Sequence, residues 1–410
     1  MEATDKKPAL LFLVHRIPFP PNKGDKIRSY HLLKYLLQHY RVFLGTFIDD
    51  KADWQHVEQL QGWCEESCFV ELNPARTKIK SLRGLLIKQP LTLPYYANAQ
   101  LQTWVDRMMQ KHGIQRTLAF SSAMAQYLLE PKYEKICRVI DFVDIDSDKW
   151  RQYAQRKPWP LSWVYKREAT ELLRFECEVA SQFDASIFVS RAEAQLFKEL
   201  APSCAERVDY FNNGVDTEYF SPDENLPTPY KEGEKILVFS GAMDYWPNID
   251  AATWFAQEVL PKIIEQHSDV RFFIVGSKPS DAVQKLAALP GVVVTGFVLD
   301  MRPYLQHATL AVAPMRIARG IQNKVLEAMA MAKAVVVTPQ GIEGIDAEPD
   351  KEAVIADDVD SLAHQSRLLL QQDNCAMGAK AREFVCKNFN WNENLPKIGE
   401  LLEQGCTKQR

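Results

Sequence analysis

Between two apolar runs, the stretch VAPMRIARGIQNKVLEAMAMAKAVVV (residues 312–337) places Arg316, Arg319, Lys324 and Glu327 around a single glycine, Gly320. LAVAPM has the character of a buried strand, and KVLEAMAMA that of an apolar helix starting near Gln322. Arg316, Arg319, Gly320, Ile321 and Gln322 therefore fall on a loop at the carboxyl edge of a sheet. A helix amino terminus carries unpaired N–H groups and about half an elementary positive charge, which makes it an anion site. Cations at that end cost an isolated helix about 0.3–1 kcal/mol each. A bound diphosphate reverses the sign of that term, whereas a merely solvated basic loop leaves it standing. Glu327 has two readings: it pairs with Lys324 one turn back, or it grips the two hydroxyls of a ribose beside a phosphate site.

A second concentration of chemistry is DFVDIDSDKW (141–150), with Asp141, Asp144, Asp146 and Asp148 at the end of an apolar run. Carboxylates this dense suit a Mg²⁺ or Mn²⁺ ion, or proton transfer to and from a hydroxyl. Asp144, at the carboxyl end of the strand, is the first candidate to accept or orient an acceptor hydroxyl. Asp141, inside the strand, is the second, and needs a partner if buried. Asp146 and Asp148 fit helix capping or a solvated face. Gly24, closing the loop IPFPPNKGD, and Gly241, ending KILVFSG, let backbone approach a phosphate with no Cβ in the way. For Gly24, plain turn chemistry is the alternative. Asp244 follows Gly241 in its loop, as does Asn248, which suits a helix cap. His15 ends the first apolar run, and the histidines have no metal-ligand spacing.

These residues need a scaffold, and short apolar runs separated by helix-period segments supply one from end to end. ALLFLV, VFLGTF, CFVEL, TLAFSS, RVIDFV and SIFVS read as the strands of one half. KILVFSG, RFFIVG, VVVTGFV, TLAVAPM and AVVVTP read as those of the other. A Pro/Asn/Asp/Gly-rich stretch around 207–235 separates them. The pattern predicts two doubly wound parallel-sheet domains, with ligands beyond the carboxyl ends of the strands and in the cleft between domains. The expected boundaries are 1–205, 206–385 and a helical tail, 386–410, returning to the first domain.

At 410 residues the chain is long enough for two domains of about 200 each. With 46% hydrophobic and 25% charged residues it is globular, and a net charge of −4 argues against general nucleic-acid binding. Eight cysteines without CxxC pairs, and an opening MEATDKKPALLFLV that lacks a signal-peptide pattern, lead us to expect a cytoplasmic protein. No apolar run reaches the ~20 residues of a membrane span. From Leu72 to Val105 there is no acidic residue, while Lys78, Lys80, Arg83 and Lys88 alternate with apolar residues. That suits an anionic membrane surface as well as a solvated helix face. A second basic, aromatic stretch, WRQYAQRKPWPLSWVYKR, lies in the same half.

The loop and helix at 312–337, the following QGIEGI, FNNGVDTEYFSP (211–222) and the first loop, PFPPNKGD, resemble the GT-B glycosyltransferases, family four in particular. SGAMDYWPNIDAATWF and DFVDIDSDKWRQYA look like the subgroup associated with exosortase and exopolysaccharide gene clusters. The resemblance implies two Rossmann-like domains facing an interdomain cleft, with retaining transfer of a sugar from a UDP- or GDP-linked donor. It implies no metal and no further cofactor, which turns the aspartates toward acceptor chemistry. The family's ribose-holding glutamate matches Glu327. Its partner seven residues earlier falls at Arg319, which implies contact with a phosphate or an acidic sugar there. GFVLDMRPYL, with Phe297, matches the segment near the donor base. Donor contacts then fall to Gly24, Gly241, Asp244, Arg316, Arg319, Gly320, Ile321, Gln322, Lys324 and Glu327. The acceptor implied is a lipid-linked polysaccharide precursor at the inner face of the plasma membrane. A nucleotide-sugar 2-epimerase of the same architecture, or a non-catalytic nucleotide- or glycan-binding subunit, are the other readings.

Overall fold

A computed structural model describes residues 7–21, 24–81, 84, 89–155, 158–318 and 320–408. The chain divides into two compact units, Met1–Asn212 with Leu395–Arg410, and Asn213–Asn394. The first is built on seven parallel strands: β1 (Ala9–Val14), β2 (Arg41–Ile48), β3 (Glu66–Glu71), β4 (Arg116–Phe120), β5 (Cys137–Val143), β6 (Ala185–Phe188) and β7 (Val208–Tyr210). Their spatial order is 3-2-1-4-5-6-7. The second has six: β8 (Lys235–Ser240), β9 (Val270–Val275), β10 (Val292–Gly296), β11 (Leu310–Ala313), β12 (Val335–Val337) and β13 (Val354–Ile355), ordered 10-9-8-11-12-13.

Each sheet starts at its middle, winds to one edge and crosses back to fill the other. The connections leaving β1 and β4, and those leaving β8 and β11, therefore diverge. Such a switch point opens a crevice at the carboxyl ends of the two strands, where doubly wound folds bind ligands. The central strands are apolar on both faces because helices cover both; all but the first residue of β1 and of β8 are buried. A representative covering helix is Ala99–His112. Asn98 caps it by accepting from the Gln100 and Leu101 N–H groups, Gly113 ends it in the left-handed conformation, and Leu101, Trp104, Val105 and Met108 form its buried stripe.

The observed boundaries depart from those expected. The first unit runs to Asn212, because residues 208–210 are not linker but its seventh strand, β7, paired with β6. The return to that unit begins at Leu395, not at 386. The helix Cys375–Asn388 belongs to the second unit, where Gly378 lies so close to the Ala332 carbonyl that a Cβ would sit 2.0 Å from its oxygen. The helix Pro396–Lys408 does pack on the first unit. Ile398 and Leu402 are buried, and Glu403 accepts from Arg116 at 2.6 Å and from Tyr40 at 3.0 Å.

Candidate functional site

In the second unit the crevice at β8 and β11 is built by glycines and one helix end. Gly241 follows β8 and Gly276 follows β9. A Cβ on Gly276 would lie 1.7 Å from the Gly241 carbonyl oxygen, and one on Gly241 would lie 2.7 Å from Asn248 Nδ2. Both positions therefore demand glycine for packing as well as for access. Asn248 donates through Nδ2 to the Ala242 carbonyl (2.9 Å) and accepts from Lys324 Nζ through Oδ1 (2.7 Å). It thus ties the loop after β8 to the helix Asn323–Ala330 that follows β11. Expected only as a helix cap, it is a bridge. The Lys324 ammonium also lies 5.2 Å from the Phe239 ring centroid and 3.8 Å from the Met315 sulfur. Thr338 fixes the turn after β11 by donating to the Met315 carbonyl (2.7 Å).

Lys324 and Glu327 form the electrostatic centre. Burial pushes the Lys324 ammonium down to about 8, against the pull of Glu327, and pushes the Glu327 carboxyl up to about 7, against the pull of Lys324. No described residue hydrogen-bonds the Glu327 carboxylate, so its oxygens are available to a ligand. Glu327 is the fifth residue of its helix. Gly320 has φ +65°, and Gln322 folds back to donate to its carbonyl at 3.0 Å. Ile321 is buried beneath the loop that holds Gly344.

Other expected donor residues are placed differently. The Arg316 guanidinium is taken by Asp250, at 2.5 and 3.0 Å, and lies over the Trp254 ring. Its charge is thereby partly compensated. Asp244 is exposed on the loop after β8. Gly24 opens the helix Gly24–His39 and is exposed; a Cβ there would meet no protein atom within 4 Å, so nothing in the packing asks for glycine. Arg319 lies outside the described residues. Phe297 is largely exposed.

The first unit carries a cavity of about 640 Å³ at the ends of β1, β4 and β5, lined by His15, Ser121, Val143, Asp144, Asp146, Lys149 and several aromatic side chains. Two of its lining residues are held in backbone conformations that non-glycine residues rarely adopt, Ser121 at φ +79° and Val143 at φ +70°. Beyond the Val143 bulge, Asp144 is half-buried and lies 3.6 Å from Lys149 Nζ. Burial works against the Lys149 charge, but Asp146 and Asp144 outweigh it and hold the ammonium protonated. Carboxylates arriving from elsewhere hold the segment after β5. Glu193 accepts from the Ile145 N–H (2.9 Å), and Glu176 from the Ser147 N–H and hydroxyl (3.2 and 2.5 Å). Asp148 is tied to Arg151 and Gln152. His15 stacks on Phe120 and meets Tyr96 edge-on.

Asp141 is not placed for chemistry. It is fully buried and bound by Arg28 through Nε (2.8 Å) and Nη2 (3.3 Å), and it also accepts from the Val143 N–H. Arg28 in turn donates to the Phe211 carbonyl and lies 3.7 Å from the Phe211 ring centroid. Asp141 is a structural ion-pair partner, correcting its assignment as a second catalytic acid. Among the described residues no group of three or more His, Cys, Asp or Glu is arranged to hold a metal ion. On the basic segment, Lys78 lines the cavity and Lys80 is tied to the Ala97 carbonyl at 2.6 Å, while Arg83 and Lys88 lie outside the described residues.

Residues 234–372 match the family model for glycosyl transferases group 1, a span that contains β8 to β13 and the whole Lys324–Glu327 region. The second unit carries a glycosyl transferases group 1 domain, and the chain has the GT-B fold. No curated protein sequence matches it. Among solved structures, the chain is similar to sucrose-phosphate synthase from Thermosynechococcus elongatus, at 18% identity and TM-score 0.71, covering 97% of this chain and 99% of that one. It is also similar to HepE from Anabaena, solved with UDP and glucose, at 15% identity and TM-score 0.69, covering 97% and 100%. A third similar structure is WaaG, a glycosyltransferase involved in lipopolysaccharide biosynthesis, at 16% identity and TM-score 0.66, covering 96% and 99%. At these identities the likeness is one of fold.

Proposed function

We propose that the transferase moves a sugar from a UDP- or GDP-linked donor onto a lipid-linked precursor of an exopolysaccharide, with retention at the anomeric carbon and without a metal. The observation that carries this reading is the unpaired Glu327 carboxylate one turn from the Lys324 ammonium, at the start of a helix on a switch-point crevice. The diphosphate lies over the helix amino terminus and Lys324, and Glu327 takes the ribose hydroxyls. As the bond from the anomeric carbon to the phosphate oxygen breaks, its electron pair leaves on the diphosphate. Fixed positive charge at that oxygen lowers the barrier, and Lys324 with the helix end supplies it. The acceptor hydroxyl is oriented by Asp144 in the first unit; its oxygen forms the new glycosidic bond on the face the leaving group vacates, and its proton passes to the departing diphosphate oxygen. The neighbouring structure solved with UDP and glucose agrees with a nucleotide-sugar donor. The acceptor half works against the inner face of the plasma membrane.

Incubation with a panel of nucleotide sugars and membrane-extracted acceptor lipids, in the presence of a chelator, is expected to yield a glycosylated lipid and free UDP or GDP. Conversion of donor to its 2-epimer with no acceptor present would replace transfer by isomerisation. In the same assay Asp144→Asn is expected to lower transfer by about 10²–10⁴-fold, the usual range for a positioned acid–base group. Its affinity for UDP or GDP should stay as in the wild type, and full transfer by this variant would remove Asp144 from the acceptor step.

A further inference from the structure

The large exposed hydrophobic side chains of the first unit are not spread evenly. Trp159 (80% exposed), Trp163 (57%), Leu161 (48%) and Tyr153 (47%) all belong to the short connection between the helices Asp146–Gln155 and Leu161–Gln182 and to the helix ends beside it. From 149 to 167 the sequence holds six basic residues and no acidic one. On one side of this helix pair, Arg151, Gln155, Ser162, Trp163 and Lys166 line a shallow hollow of about 440 Å³. Lys166 is exposed, and no described carboxylate pairs with it. On the other side, Trp150, Tyr153, Val164 and Tyr165 form a wall of the cavity that contains Asp144. The same two helices thus present exposed tryptophans outward and the acceptor cavity inward.

We infer that this helix pair docks on an anionic lipid bilayer, with Trp159, Leu161 and Trp163 entering the interfacial layer and Lys166 facing lipid phosphates. A monomeric soluble surface gains nothing by exposing two tryptophans and a leucine together. Tryptophan prefers the boundary between headgroups and acyl chains, where its ring is buried and its N–H stays wet. Each basic residue near an anionic surface adds attraction; Arg151 is offset by Asp148 and Lys149 by Asp144 and Asp146, whereas Lys166 keeps its charge. A protein interface would be expected to exclude lysine from such a centre. The contact is interfacial, since no described helix is long and apolar enough to cross a membrane. The anchor is moved by this from the 78–88 segment, where Lys80 is tied to backbone, to the tryptophan-bearing helix pair. The inference rests on the lipid-linked-acceptor reading for its purpose, bringing the cavity to its substrate, but not for its observation.

The test is sedimentation of the full chain with vesicles of phosphatidylcholine alone and of phosphatidylcholine with 30% phosphatidylglycerol, a composition chosen at roughly the anionic content that gives surface electrostatics their effect. The wild type is expected to sediment with the anionic vesicles, and Trp159→Ser/Trp163→Ser to lose about tenfold or more of its partition coefficient. Lys166→Glu should lower binding to the anionic vesicles alone. Donor binding by calorimetry should be unchanged in both variants, which separates this test from that of the transferase reading, and their circular dichroism should match the wild type. Failure of the wild type to bind anionic vesicles would overturn the inference. So would equal binding by the tryptophan variant, or a solution dimer that the same two substitutions dissolve.

Discussion

Lys324→Met is expected to lower the rate of sugar transfer by about 10²–10³-fold, the cost of removing one preorganised group that meets charge developing on a leaving group. Methionine keeps the length and apolar stem of the side chain, while the ammonium and its contacts to Asn248, Phe239 and Met315 are lost. The substitution also isolates the charge from the fold. In the ligand-free protein Lys324 is held below its ordinary value and Glu327 above its own, both by burial, so neither charge stabilises the folded state. The folded protein binds more protons than the unfolded chain at Glu327 between about 4.5 and 7, so that group's contribution to stability falls as pH rises through that window. At Lys324 it binds fewer between about 8 and 10.5, so stability rises there. Lys324→Met removes the second effect together with the bond to Asn248, so the stability of the variant should no longer rise with pH above about 8 as that of the wild type does. In the wild type, kcat/KM should decline above pH about 8, as the free enzyme loses the ammonium proton that a diphosphate needs. A variant that transfers at the wild-type rate, or one that is inactive only because it is unfolded, would contradict this account of Lys324.

The largest effect on stability is expected at Arg28. Arg28→Met leaves the Asp141 carboxyl buried among apolar strands without the guanidinium that binds it, and removing one member of a buried pair costs about 3–5 kcal/mol. Replacing both, as Arg28→Met/Asp141→Leu, should return most of that loss, because two apolar residues leave no uncompensated charge. In the single variant Asp141 relieves the strain by taking up a proton. Burial already holds the Asp141 carboxyl above its ordinary value, and losing Arg28 raises it further, so the deficit is smallest at low pH and grows as pH rises through the raised pKa. Urea denaturation at pH 5 and pH 8 reads both expectations. A loss below about 1 kcal/mol at pH 8 would mean that the pair is not the fixed buried bridge described here.

Most of the sheet scaffold was legible in the sequence because strands covered on both faces are continuous apolar runs, and eleven of the thirteen strands among the described residues coincide with such runs. The two that were not, β7 and β13, are three and two residues long, too short for a period to form, and β7 sits inside polar linker sequence. The domain boundary was misplaced for the same reason. Within the donor region, Lys324 and Glu327 were readable from a local event, a basic glycine loop turning into an apolar helix. Gly276 and the bridging role of Asn248 were not, because their partners, Gly241 and Lys324, are brought in by the sheet order across 35 and 76 residues. Asp141 was misread on the same principle, its partner Arg28 lying 113 positions away on another element. A glycine ending RFFIV, the strand next to KILVFS, was the one signal that pointed to Gly276.

The claim on which the rest depends is that Glu327 holds the donor ribose, and a calorimetric cycle tests it most directly. UDP or GDP, and the same nucleotide lacking the ribose 2′- and 3′-hydroxyls, are titrated into the wild type and into Glu327→Ala. A hydrogen bond to a charged group contributes about 1.5–3 kcal/mol, so removing either the carboxylate or the hydroxyls should weaken binding by about 10–100-fold. Removing both should weaken it by no more than removing one, since they are two halves of one contact. Equal affinity of Glu327→Ala and the wild type for the intact nucleotide, or losses that simply add, would contradict it.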